Sequence, residues 1–156
     1  MNFGFSFVGL LFLLMLMVPN ILWSKNLPKD YEKYAQNENR TLLAFERIGE
    51  VFVSIFALFC GIKFTNPSFL LIVAFVLMIL YEIYWIRYFR SEKRKSDMYC
   101  DMFMIPVPGA TLPVFAFLLL GFSCENIFLI VFSIILAIGH IGIHLNHKKE
   151  LDKKNN

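Results

Sequence analysis

Charge is scarce in this sequence. Only 17% of its 156 residues are charged, while 58% are hydrophobic and 18 are phenylalanine. Soluble chains run nearer about 45–50% apolar even when glycine is counted, so a soluble domain of this size could not hide so much apolar surface. Cysteine is also sparse: the three cysteines form no CxxC pair and have no metal-type spacing. That argues against a cysteine-based zinc or redox centre. No internal repeat, glycine-rich phosphate loop or low-complexity tract is present. Solenoid, nucleotide-binding and disordered readings therefore lose their usual signals. The first apolar segment lacks a basic start and a small-residue cleavage site, so it is read as a span rather than a removable signal peptide.

What the chain does have is long apolar blocks. A bilayer core about 30 Å thick needs about 20 helical residues to cross it. Five blocks approach that length: Phe3 to Trp23, Leu42 to Phe64, Phe69 to Phe89, Asp101 to Gly121 and Asn126 to Leu145. The expected fold class is therefore all-α, a polytopic membrane protein with a bundle of five transmembrane helices in one membrane domain. A polar tail follows at 146–156.

Thirteen of the 15 Lys and Arg lie in three polar stretches: 24–41, Arg87 to Lys95, and the tail. The two alternate connections, KFTNPS and SCEN, hold one Lys between them. The net charge of +3 thus reads as a cytoplasmic bias and not as a nucleic-acid surface. This predicts an N-terminus outside, a cytoplasmic C-terminus and no nucleic-acid partner. A short surface helix is expected after Pro28, with Tyr31 and Tyr34 towards the membrane. Cys100 is expected to face the cytoplasm as a free thiol. Cys60 and Cys124 both fall near the outer face, which leaves a disulfide between them open.

The second span is the unusual one. Each charge at mid-membrane costs about 2.5–3.5 kcal/mol on insertion scales, while each large apolar residue returns only about 0.3–0.6 kcal/mol. Yet Glu46, Arg47 and Glu50 lie in it. Arg47 and Glu50 have ion-pair spacing. Glu46 and Glu50 share a face with Ser54, Ala57 and Gly61, a polar-then-small face suited to helix packing. Other spans carry Glu82, with Trp85 one turn away, and the stripe Ser133, Ala137, His140, His144, His147. At about 1.5 Å per residue, Glu46, Glu50, Glu82, His140 and His144 all fall about 5–12 Å from the same membrane edge. Intramembrane ionisable groups usually face a bundle interior or a wet cavity. A cytoplasm-facing polar pocket is therefore expected.

Two further features fall at that depth. Pro106, Pro108, Gly109 and Pro113 are expected to break or kink the fourth span, with Thr111 capping the resulting half-helix and favouring an anion. Pro19 and Asn20 in the first span lie at similar depth. Tyr81, Tyr84, Trp85 and Tyr88 read first as an interfacial aromatic belt, with some lining the pocket as the alternative. The histidine spacing is also that of metal ligands, but histidines near a membrane edge are commonly interfacial, so no metal or cofactor is assigned.

The stretches ERIGE, YEIYWIRYF, PVPGATLPV and IGHIGIHLNH resemble those of small five-span bacterial membrane proteins with no assigned activity. The resemblance runs along nearly the whole chain and implies a multi-pass protein of a bacterial cell membrane. It implies no reaction. A looser similarity to emopamil-binding-type sterol isomerases rests on Glu, His and Trp in a membrane cavity, but neither span order nor motif spacing matches.

The leading expectation is a protein that binds or transports a small anionic or lipid-like ligand. The expected ligand-binding residues are Glu46, Arg47, Glu50, Glu82, Trp85, Thr111, His140 and His144. Membrane lipids are the expected partners, with a homodimer through the Ala57/Gly61 face. The alternatives are an intramembrane enzyme using Glu/His acid–base chemistry on a lipid or isoprenoid-like substrate, and a structural or accessory subunit.

Overall fold

The computed structural model describes residues 4–30, 39–61, 68–102 and 104–155. The helix expected after Pro28, with Tyr31 and Tyr34, lies outside them. The protein is all-helical, 78% helix, with no strand among the described residues. In chain order the helices are α1 (Phe7–Ser24), α2 (Arg40–Ala57), α3 (Phe69–Arg90), the short α4 (Lys95–Met98) and α5 (Pro108–Ser123). A last continuous helix joins α6 (Ile127–Leu136), a π-helical turn (Ala137–Ile141) and α7 (Gly142–Asn155). Ser6, Asn39, Ser68 and Asn126 start α1, α2, α3 and α6, each accepting a hydrogen bond from a first-turn N–H.

Three helices are long and apolar enough to cross a membrane: α1, α3 and the stretch Ile127–Lys153. Each turns an apolar stripe outward. On α3 it is Phe69, Ile72, Val76, Ile79, Ile83 and Ile86, all exposed, in steps of three and four residues. In water this would be an untenable apolar surface; in lipid it is the ordinary one. Helix α2 carries too many charges for that group, yet Phe45, Ile48, Phe52 and Ile55 give it the same kind of exposed stripe.

Helix α5 differs. It has only 16 residues, nine of them buried, and it packs against both α3 and α6. It also starts later than expected. Residues 101–102 and 104–107 are not helical, and the helix begins at Pro108 with Val107 held in the left-handed region at φ 44°. Closely spaced prolines explain this, because each lacks an N–H and pushes the preceding residue out of the helical region. Thr111 therefore does not cap a half-helix. It sits in the first turn and donates to the Pro106 carbonyl at 2.8 Å.

The two ends of the bundle are built differently. At one end a disulfide joins Cys60 to Cys124, with Cα atoms 5.6 Å apart. Here Gly9 of α1 lies so close to α2 that a Cβ would collide with the Ala57 carbonyl. Ala57 is fully buried in this contact, while Gly61, the other member of the small-residue face expected to form a homodimer, is exposed. At the other end, residues 91–102 and 104–107 fold back beneath the helices. Tyr84 Oη donates to Met98 O at 2.7 Å, Arg87 donates to Cys100 O at 2.8 Å, and Lys148 pairs with Asp101.

Candidate functional site

The chemistry-bearing side chains collect at the end opposite the disulfide. Helix α2 and the last helix meet there through glycines. A Cβ on Gly49 would lie 2.6 Å from Leu136 Cα, and one on Gly139 would lie 2.7 Å from Leu42 O. This close approach carries Glu46 onto His140: the Glu46 Oε1 to His140 Nδ1 separation is 2.5 Å. Glu46 is only 9% exposed, so its carboxylate needs this partner. The His140 and His144 rings follow one another, with centroids 4.5 Å apart. His144 Nδ1 lies 3.2 Å from Tyr99 Oη, and His147 Nδ1 lies 3.0 Å from the same oxygen. A hydroxyl has a single proton, so Tyr99 can donate to one imidazole and must accept from the other. The ring tautomers of His144 and His147 are thereby coupled.

Two adjoining cavities open onto this cluster. The smaller, about 150 Å³, is lined by His140, His144, Tyr99, Tyr84, Trp85 and Asn20, among others. The larger, about 410 Å³, runs between α1, α2 and α5, past Leu16, Met17, Val53, Val114 and Phe117 to Glu50, Ser54 and His140. Asn20, Trp23, Gly109 and His140 border both. Asn20 Nδ2 donates to Leu16 O at 2.8 Å and to Tyr81 Oη at 3.0 Å, so it is fixed at the junction. Trp85 Nε1 is buried and makes no hydrogen bond of good geometry, although the Tyr81 hydroxyl lies nearby.

The structure unites some of the expected residues and separates others. His140, His144 and Trp85 border the cavities, Glu46 lies behind His140 in contact with its Nδ1, and Glu50 borders the larger cavity. Arg47 does not enter. Its side chain is 70% exposed and reaches back to Glu50 at 3.0 Å. Glu82 borders neither cavity, because Tyr81 and Trp85 take the inward face of α3 and turn it aside. Thr111 spends its hydroxyl on Pro106. The residues expected to hold an anion thus point away from the space. The aromatic belt is corrected as well: Tyr81, Tyr84, Trp85 and Tyr88 are all buried, and isoleucines take the outward face. Their hydroxyls explain the inversion, since Tyr84 and Tyr88 donate to the backbone of segments folded beneath the bundle.

Tyr99 was not expected at the site, Asn20 was expected only at a similar depth, and Tyr84 only as the alternative to an interfacial belt. Asn20 had a weak signal, an amide beside a proline inside a span. Tyr99 had none, since it lies in a polar connection. Comparison with protein-family models, curated proteins and solved structures gave no match.

Proposed function

We propose that this is a five-span membrane protein that binds a lipid-like amphiphile, with its histidine end in the cytoplasm. Charge and sulfur support that orientation together. The basic stretches gather at the histidine end, as cytoplasmic segments do. The Cys60–Cys124 bond lies at the other end and suits an oxidising compartment. Five crossings count α2 and α5 beside the three longer helices. Helix α2 spans about 27 Å at about 1.5 Å per residue, and α5 can be short because its neighbours shield it.

One observation carries the ligand reading: the larger cavity is apolar along most of its length and polar where it meets His140 and Glu50. Its volume of about 410 Å³ is that of a small-molecule site. An apolar chain fits beside Val114 and Phe117. A neutral, cationic or zwitterionic head fits Glu50 and its Arg47 partner better than an anion does. The test is native mass spectrometry of the protein extracted with its lipids. The expected result is one discrete co-purifying mass that Val114→Phe removes while the unfolding temperature is kept. Identical bulk-lipid distributions in both proteins would refute the reading.

A second reading, acid–base chemistry on that ligand, is favoured by the Glu46–His140 pair. A carboxylate on Nδ1 orients the ring and leaves Nε2 for proton exchange. If the protein is an enzyme, wild type and His140→Gln hold different molecules, product and substrate, told apart by fragmentation and chromatographic retention as well as by mass, since an isomerisation leaves mass unchanged. Identical molecules in both would leave binding alone.

A further inference from the structure

We propose that Glu46, His140 and His144 form a binding site for a divalent metal ion of the zinc class. Each residue offers one donor atom, and these three atoms lie within 4.8 Å of one another. Donors on a tetrahedral ion with bonds of about 2.0–2.1 Å sit about 3.3 Å apart. Gathering this set therefore takes a shift of about 1.5 Å, within the reach of side-chain rotation. The 2.5 Å contact between Glu46 Oε1 and His140 Nδ1 is proton-sharing length. Binding therefore replaces that proton, so that Glu46 and His140 both become ligands.

Four features separate this cluster from histidines that merely sit at a membrane edge. First, the carboxylate comes from a different helix and is buried, held in place by the Gly139 contact with α2. Second, His140 lies in the π-helical turn Ala137–Ile141, a local widening that recurs at functional sites. Third, His144 is oriented through Nδ1 by Tyr99 at 3.2 Å, the outer-shell arrangement typical of metal-bound imidazole. Fourth, the cavity of about 150 Å³ bordered by both histidines has room for a water or ligand group in a remaining coordination position.

The donor set chooses the ion. Two imidazoles and one carboxylate suit zinc, cobalt or iron better than calcium or magnesium, which take oxygen ligands. The local charges are mixed. Glu46 offsets one unit of the ion's charge, while the buried Lys95 lies towards His144 and His147. That predicts a site of moderate affinity. It does not depend on whether the larger cavity holds an amphiphile.

The test uses full-length, untagged Cys100→Ser protein in lipid nanodiscs, stripped with a chelator and titrated with Co²⁺. Cys100 is the exposed free thiol and would otherwise compete. The expected result is one Co²⁺ per chain with the intense visible absorption of a four- or five-coordinate ion. Zn²⁺ should displace it and Mg²⁺ should not. Glu46→Gln and His144→Gln should each weaken binding about tenfold or more, with an unchanged helical circular-dichroism spectrum and unfolding midpoint reporting that the fold is kept. If His144→Gln does not fold, the near-isosteric Glu46→Gln decides alone. Absence of the visible band in wild type, or binding undiminished in Glu46→Gln, overturns the proposal. Lipid co-purification is measured on the metal-stripped protein, so the two readings fail separately.

Discussion

The disulfide end and the histidine end of this bundle solve opposite problems. At the disulfide end the helices touch backbone to backbone. Gly9 abuts Ala57, the Ser6 N–H donates to Leu58 O at 2.8 Å, and a covalent bond ties α5 to the chain leaving α2. Phe52, Phe56, Phe128 and Phe132 stack across α2 and α6, with centroids as close as 4.3 Å for Phe52 and Phe132. Towards the histidine end α1 and α2 leave space between them, and polar groups line it. Close packing suits an end that only holds the helices together. Empty volume costs packing energy, and here it coincides with Glu50, His140, His144 and Asn20. Tight helix packing and the polar-lined cavities are thus separated along the axis of the bundle.

Substitutions can break that separation or sharpen it. The largest effect is expected where helices meet at glycine. Gly9→Leu forces a side chain into the Ala57 carbonyl and should cost about 3 kcal/mol or more, read as a lowered unfolding midpoint in detergent. Removing the disulfide with Cys60→Ser and Cys124→Ser should cost about 2–4 kcal/mol, with bound-ligand mass unchanged in protein that folds. A large loss of ligand in that variant would show the two ends to be coupled.

Changes at the histidine end should show the reverse pattern. Glu46→Gln keeps the shape but loses the charge-assisted bond to His140, for about 1–3 kcal/mol, and should alter metal or ligand binding more than it alters folding. Tyr99→Phe removes the shared hydroxyl from two imidazoles and should cost about 1–2 kcal/mol while shifting both histidine ring resonances in NMR. The smallest effect is expected at Arg47→Ala. Its pair with Glu50 is largely exposed, so stability should move by less than about 0.5 kcal/mol. A loss of several kcal/mol there would mean that Arg47 is covered in the membrane by something the isolated chain does not supply.

Much of the fold could be read from the chain. The stripe Phe69–Ile72–Val76–Ile79–Ile83–Ile86 and the apolar length of α1 and the last helix follow from periodicity alone. The meeting of Glu46 with His140 was also expected, from depth. Depth gives only one coordinate, however. Glu82 has a suitable depth and the wrong rotation, because Tyr81 and Trp85 hold the inward face of α3. Arg47 and Glu50 have ion-pair spacing, but spacing does not say whether the pair points in or out. Proline spacing marked the break before α5, while the shift of the helix start from Asp101 to Pro108 depended on how the loop folds back.

Composition and periodicity, by themselves, determined that this chain is helical, that it carries membrane-length segments, and where along each segment its ionisable groups lie. Those properties belong to single helices and are set by residue hydrophobicity and the 3.6-residue turn. The tertiary structure alone decided which side chains share a space. It paired Glu46 with His140 through glycine contacts, brought Tyr99 up from a loop, turned Arg47 and Glu82 away, and buried α5. Helix rotation and interhelical distance come from the simultaneous packing of several apolar helices, and no one segment contains that information.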